Sequence, residues 1–156
     1  MDDEYIMIQE IQEAKASSKI VGFTCSSFDL LHAGHCAMLS EAKTHCDYLV
    51  VGLQTNPTRD RRTKNNPVQT VFERWTQLQA IKCVDAIIPY ETESELLDLL
   101  YTIMPDIRML GSEYEGTEYT GHDIDGISVV YNDRLHSFSS SSLRKRVHFA
   151  EQSLKS

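Results

Sequence analysis

The 156-residue sequence predicts an α/β fold with three layers, α/β/α, around a parallel sheet of about five strands. Short apolar, β-prone runs alternate with helical stretches, a pattern typical of parallel strands joined by crossover helices. The composition is 41% hydrophobic, which is enough for one sizeable core, and the length suits one domain. Ligands of such sheets bind beyond the carboxyl ends of the strands, so we expect the site in the loops that follow them.

The elements are predicted in order along the chain. Residues 1–18 form an acidic N-terminal extension, either a short amphipathic helix or a frayed segment, ahead of a main domain at 19–156. Thr70 with Glu73 is a capping-box pattern, and Pro105 marks a helix end. The predicted strands cover residues 20–24, 48–53, 86–89, 107–111 and 127–131. The predicted helices cover about 34–45, a stretch from 70 through 81, 94–103, and a final stretch that begins in the serine run 139–142.

The charge of the chain argues against one large class of function. The formal net charge is −8, from 23 acidic and 15 basic residues, whereas gripping nucleic acid by its backbone needs a broad basic face. No apolar stretch approaches the roughly 18 residues of a membrane span, and the acidic N-terminus is unlike a signal peptide. The cysteines form no C-x-x-C pair, which favours reduced thiols. We therefore expect a cytoplasmic protein that binds neither nucleic acid nor membrane.

Two histidines stand at the entrance of the first helix of the main domain. His32 and His35 are three residues apart, so they face the same side, and Gly34 lets a phosphate approach the backbone closely. A helix start also offers free N–H groups and the positive end of the helix dipole. The pattern fits histidines that stabilise charge on a leaving pyrophosphate. An ordinary polar pair or a pair of metal ligands fits the same two residues.

Basic and hydroxyl side chains occur in later loops at the same predicted edge of the sheet. Arg62 and Lys64 belong to a run of four bases in six residues, and we interpret them as phosphate clamps, although a solvated face is the usual reading. Ser140 and Ser141 begin a helix, where hydroxyls and N–H groups can hold a phosphate. Arg144 lies one turn further and either reaches the same anion or is a surface charge.

Two more residues have an open choice of role. Asp29 can orient the histidine loop, help to hold Mg²⁺ through water, or form only an Asx-turn. Tyr114 is either a packing aromatic or part of a pocket for the base or the substrate. No residue is assigned as a direct metal ligand, and Mg²⁺ is expected to accompany a triphosphate.

The first loop, Phe28-Asp29-Leu30-Leu31-His32-Ala33-Gly34-His35, resembles the signature of the nucleotidyltransferase superfamily, which has a Rossmann-like core. It is most similar to the cytidylyltransferases for glycerol-3-phosphate and phosphoethanolamine, because Leu30 stands where coenzyme adenylyltransferases usually have proline. Similar segments follow in the family order: Arg62-Thr63-Lys64, Glu73-Arg74-Trp75, Lys82-Cys83-Val84-Asp85, Gly111-Ser112-Glu113-Tyr114 and Ser139-Ser140-Ser141-Ser142-Leu143-Arg144. The resemblance covers roughly residues 19–148.

The resemblance implies roles for particular residues. It implies catalytic roles for His32, His35, Lys64 and Arg134, of which Arg134 would contact the triphosphate. It implies that Arg74 and Tyr114 bind substrate and that the family homodimer forms. The residues implied to bind nucleotide are Ser27, Phe28, Asp29, Gly34, Arg62, Gly111, Ser139, Ser140, Ser141 and Arg144.

Three serines depart from the family pattern. Ser26 and Ser137 replace glycines, and Ser112 replaces an acid. These changes leave the phosphate-binding residues in place but bear on the choice of base and of acceptor.

The sequence therefore predicts a nucleotidyltransferase that moves CMP from CTP to a small phosphomonoester and releases pyrophosphate. Length favours glycerol 3-phosphate, which would give CDP-glycerol. Phosphoethanolamine or a sugar or alditol phosphate with CTP, a sugar phosphate with ATP, and a non-catalytic nucleotide-binding module are the alternatives.

Overall fold

The computed structural model describes residues 2–133 and 135–155, and its five strands and five helices form a Rossmann-like α/β fold. Among the predicted site residues, Arg134 lies outside the described part of the chain. The strands are β1 (Val21–Ser26), β2 (Tyr48–Gln54), β3 (Ala86–Tyr90), β4 (Ile107–Gly111) and β5 (Ser128–Asn132). The helices are α1 (Asp2–Ala16), α2 (Ala33–Thr44), α3 (Val71–Gln79), α4 (Glu93–Ile103) and α5 (Ser140–Ser153).

All four strand pairings are parallel, and the order across the sheet is β3-β2-β1-β4-β5. The chain moves outward in one direction from β1 to β3 and then crosses to the other side of β1 for β4. The topological switch point therefore lies between β1 and β4, where open α/β sheets bind their ligands. The predicted fold class and the predicted five strands are confirmed.

Each face of the sheet has its own hydrophobic core. On one face, α1 and α4 pack against side chains such as Phe23 and Ile88. On the other face, α2 and α3 cover Val51 and Met109. Helices on both faces explain why the central strands are apolar without strict alternation, since strands such as β2 bury both of their sides.

The N-terminal segment is helical and packs into the first of these cores. Ile11 of α1 is fully buried, and Lys15 donates to the carbonyl oxygens of Ile103 and Met104 at the end of α4. Met104 ends α4 in the left-handed conformation, with φ of 43°. Lysine near a helix C-terminus satisfies carbonyls that lack a partner within the helix.

Helix α3 begins with the predicted capping box. The Thr70 side chain accepts a hydrogen bond from the backbone N–H of Glu73, and the Glu73 carboxylate accepts one from the N–H of Thr70. The four cysteines are free thiols. No helix in the described part of the chain is long and apolar enough to cross a membrane.

Candidate active site

A cavity of about 640 Å³ opens at the carboxyl edge of the sheet, over the switch point. Its volume lies within the range of small-molecule sites. Most of the predicted site residues line it, namely Ser27, Asp29, His32, Gly34, His35, Lys64, Gly111, Tyr114, Ser139, Ser140 and Arg144. Loops that are distant in sequence therefore meet at one place, as the strand order requires.

The two histidines form the cap of α2, and this fixes which ring nitrogen of each carries a proton. The Nδ1 atom of His32 accepts a hydrogen bond from the N–H of Gly34 at 3.0 Å, and Nδ1 of His35 accepts one from the N–H of His32 at 3.2 Å. A neutral imidazole that accepts at Nδ1 carries its proton on Nε2. The stacked rings, 4.0 Å apart between centroids, thus present N–H donors at Nε2.

Burial keeps His35 neutral at physiological pH. Desolvation, followed by the neighbouring His32, lowers the pKa of His35 from 6.5 to about 4. His35 therefore enters the site as a neutral hydrogen-bond donor and does not carry a positive charge near pH 7.

Gly34 leaves room for these rings. A Cβ atom at this position would lie 2.8 Å from Cε1 of His32 and 3.1 Å from Cε1 of His136. Any side chain at position 34 would push the first histidine out of its place, so the glycine is required by packing inside the motif.

Helix α5 points its N-terminus at the same part of the cavity. Ser139 caps the helix by accepting from the N–H of Ser142 at 3.1 Å. The hydroxyl of Ser140 lies 3.1 Å from Nε2 of His32, so the starts of α5 and α2 are joined by a hydrogen bond. Ser141 is exposed and does not line the cavity, and its predicted contact with nucleotide stays a prediction. Two helix N-termini converge here, and both favour an anion.

Asp29 holds the histidine loop against the start of α3. Its carboxylate accepts from the N–H groups of Val68 and Gln69, both at 2.9 Å, and lies 3.5 Å from an Arg144 nitrogen. Its neighbours Phe28 and Leu30 both have positive φ, 49° and 51°. Such backbone costs roughly 1–3 kcal/mol per residue and persists only where contacts enforce it. Asp29 is thus a positioning residue.

The structure places Phe28 in the core, where it is 1% exposed and packs 5.4 Å from the His35 ring. It does not line the cavity and supports the histidine ring from below, and its predicted contact with nucleotide stays a prediction.

The basic loop, residues 55–70, lies along one side of the cavity. Lys64 lines the cavity as predicted, whereas Arg62 is exposed and is not among the lining residues. Arg61 takes that place: it lies 3.3 Å from Glu93 at the start of α4, and its hydrogen bond to Tyr114 raises its pKa. The sequence predicts that the run of basic residues contributes to the site. It does not show which arginine lines the cavity, because the residues of a loop do not alternate with a fixed periodicity.

Arg74 is a buried structural residue, which corrects its predicted contact with substrate. It is 2% exposed, and burial lowers its pKa. It donates to the carbonyl oxygens of Ser27, Gln54, Thr55 and Gln69 at 2.7–3.2 Å. One guanidinium therefore ties together the ends of β1 and β2 and the end of the basic loop.

Sequence reasoning missed polar residues at the α4 side of the cavity. Arg108, Glu93, Thr120 and Gln54 line it together with Tyr119. Arg108 gave a signal that could have been used, because it is a charge inside an otherwise apolar run.

Comparison with known proteins identifies the family of the chain. A family model described as cytidylyltransferase-like matches residues 23–146. The bifunctional protein HldE of Hyphomonas neptunium is 33% identical over 119 residues, covering 76% of this chain and 24% of that protein. The bifunctional protein HldE of Campylobacter curvus is 31% identical over 150 residues, covering 93% of this chain and 31% of that protein. The chain thus spans less than a third of either relative.

A solved structure supports the fold. The crystal structure of a lipopolysaccharide core biosynthesis protein from Thermoplasma volcanium GSS1 superposes with a TM-score of 0.54 at 22% identity. The superposition covers 85% of this chain and 89% of that one.

Proposed function

This chain belongs to the cytidylyltransferase-like family, and on that premise we propose that it transfers a nucleotidyl group from a nucleoside triphosphate to a phosphomonoester. The cap of α2 is the observation that carries the proposal. His32 and His35 each have Nδ1 occupied by a backbone N–H, so each offers a proton at Nε2 where two helix N-termini meet. Such preorganised donors suit the oxygens of a triphosphate.

In the proposed reaction, an oxygen of the acceptor phosphate attacks the α-phosphorus of the nucleotide in line. A bond forms between that oxygen and the α-phosphorus, the bond from the α-phosphorus to the bridging oxygen breaks, and pyrophosphate leaves with the electron pair. A phosphate monoester has its second pKa near about 6, so the acceptor is already a nucleophile at pH 7. The reaction needs no protein nucleophile, and catalysis comes from positioning and charge stabilisation.

The histidines would act as neutral donors. Because the pKa of His35 is lowered to about 4, its Nε2–H would stabilise the charge that develops on the bridging oxygen without transferring its proton. Lys64 and the start of α5 would hold the remaining phosphates. Ser140 would shift from His32 toward a phosphate oxygen when the nucleotide enters.

We further propose that Mg²⁺ enters with the nucleotide. The described residues contain no group of three or more side chains suited to hold a metal ion, and both oxygens of Asp29 already accept backbone hydrogen bonds. These residues fit an ion that is bound mainly by phosphate oxygens and water, as Mg²⁺ commonly is.

We also propose that the protein forms a homodimer, as the family resemblance implies.

The proposal extends to the identity of the nucleotide and of the acceptor. Resemblance in the first loop supports CTP with glycerol 3-phosphate. A sugar or alditol phosphate with CTP and a sugar phosphate with ATP are the alternative pairs. These pairs have in common a nucleoside triphosphate and a phosphomonoester that carries hydroxyl groups.

A pyrophosphate-release assay tests the proposal. CTP and ATP are each paired with glycerol 3-phosphate, hexose 1-phosphates, pentose 5-phosphates and phosphoethanolamine. We expect release with at least one pair, and a fall of roughly 10²–10³-fold in kcat for His35→Ala. The matched control His148→Ala changes an exposed histidine of α5 outside the cavity and should keep full activity. Near-normal turnover of a folded His35→Ala protein would refute the assignment.

A further inference from the structure

Arg108 is a buried cation in the floor of the cavity that the transfer step does not use. It is the second residue of β4, stands beside Phe23 of β1 in the sheet, and is 4% exposed. Its side chain lines the cavity on the face covered by α4. Taking a guanidinium out of water costs several kcal/mol unless partners compensate for it.

The partners of Arg108 leave its charge without a direct counter-ion. Within residues 2–133 and 135–155, no carboxylate lies within ion-pair distance of it. One terminal nitrogen donates to the carbonyl oxygen of Thr120, and the guanidinium lies 5.2 Å from the centroid of the Tyr119 ring. Its Nε is buried and has no hydrogen-bond partner there, although the Cys25 thiol is a further hydrogen-bonding neighbour of the guanidinium. In native proteins a buried donor of this kind is usually satisfied by a side chain, an ordered water or a ligand.

Glu93 is connected to Arg108 through one residue. The hydroxyl of Thr120 donates to one carboxylate oxygen of Glu93 at 2.6 Å, while the other oxygen lies 3.3 Å from Arg61. Arg61, Glu93 and Arg108 together carry a net charge of about +1. Among the described residues, Nε2 of Gln54, a second cavity-lining side chain, also has no hydrogen-bond partner although it is buried.

This set matches hydroxyl groups better than the alternatives. A hydroxyl can accept from a guanidinium or amide N–H and donate to a carboxylate, so a row of hydroxyls satisfies both kinds of group after small side-chain rotations. An ammonium group would meet a cluster whose summed charge is about +1 and would be repelled by it. An apolar acceptor would leave the buried donors unpaired.

The position of the cluster fits the acceptor. β4 is the neighbour of β1 at the switch point, so a ligand whose phosphate lies at the start of α2 can extend across the sheet edge to Arg108. We propose that Arg108 and Glu93 determine acceptor specificity and select a polyhydroxylated phosphomonoester, a sugar or alditol phosphate, over an amino-alcohol phosphate. This rests on the proposed nucleotidyl transfer and names its acceptor class.

Steady-state kinetics of Arg108→Met test the proposal, with KM measured separately for nucleotide and acceptor. Loss of hydrogen bonds from a charged donor should raise the acceptor KM by about 10–100-fold, while the nucleotide KM changes less than about threefold. Glu93→Gln should also raise the acceptor KM. This variant provides a second test of the proposal if Arg108→Met does not fold. The control Arg146→Met alters an exposed arginine of α5 outside the cavity and should behave as wild type. Equal rises in both KM values would overturn the proposal, as would phosphoethanolamine being the best acceptor of the wild type.

Calorimetry separates failure of this inference from failure of the transferase assignment. Glycerol 3-phosphate, a hexose 1-phosphate, a pentose 5-phosphate and phosphoethanolamine are titrated into the full chain without nucleotide. Sugar-phosphate binding that weakens about tenfold or more in Arg108→Lys, but not in Arg146→Met, supports the acceptor site even if no pair releases pyrophosphate. Absence of sugar-phosphate binding to wild type, or equal binding to wild type and Arg108→Lys, overturns it even if transfer is observed.

Discussion

Acidification should destabilise the protein through His35, and the size of the effect follows from its pKa. Burial lowers that pKa from 6.5 to about 4, so the unfolded chain takes up a proton at this histidine before the folded chain does. The stabilising contribution is therefore complete above pH 6.5 and is lost as the pH falls toward 4. From pH 7.5 to pH 5, proton linkage for one such group gives about 2 kcal/mol, and partial exposure reduces this to about 1–2 kcal/mol.

The variant His35→Gln isolates this contribution from all other titrating groups. Glutamine at the third helical position can still accept the N–H of His32, as in an ordinary capping box, but it does not titrate. Urea unfolding of wild type and His35→Gln at both pH values gives the difference directly, since groups common to both proteins cancel. The wild type should lose about 1–2 kcal/mol more than the variant. Equal losses in the two proteins would refute the neutral, buried state of His35.

Three further substitutions test the supporting structure. Arg74→Met should lower the free energy of unfolding by about 3–5 kcal/mol in urea titrations, because four carbonyl oxygens lose their donor. A loss below about 1 kcal/mol would contradict the structural role of Arg74. Gly34→Ala places a Cβ atom 2.8 Å from the His32 ring. We therefore expect kcat to fall at least about tenfold while the far-ultraviolet circular dichroism spectrum stays unchanged. Unchanged turnover would contradict the packing role of Gly34. Thr70→Ala should cost about 1 kcal/mol in thermal unfolding, whereas Thr70→Ser should be nearly neutral; equal effects would argue against the cap.

The sequence was sufficient for the fold because its signals are local and agree with one another. The apolar runs at 48–53 and 107–111 are buried on both sides in a parallel sheet, and such runs are readable without tertiary information. Thr70 and Glu73 form a cap whose spacing alone fixes the start of α3. For residues 1–18 the sequence predicts either a helix or a frayed segment, because the many charged residues there give no indication that Ile11 reaches the core.

The site was predictable where a motif is tied to a helix start and less so in loops. His32, His35 and Ser140 lie where the cap geometry puts them, since the helix fixes the direction of each residue. Arg61 and Arg62 are adjacent in an irregular loop, and only the structure shows which one turns inward. Ser141 differs from Ser140 by about 100° around the helix, which is enough to remove it from the cavity.

The position of Arg74 gives a physical reason why the carboxyl edge of the sheet would accommodate the proposed triphosphate. The carboxyl ends of parallel strands present carbonyl oxygens, whose partial negative charge opposes a phosphate. Arg74 donates to three such oxygens near the cavity, those of Ser27, Gln54 and Thr55, and so places its positive charge below the site. In the proposed complex, the phosphates would meet the N–H groups at the starts of α2 and α5 without facing exposed carbonyl dipoles. A buried arginine would then support binding of the triphosphate through the backbone that it holds.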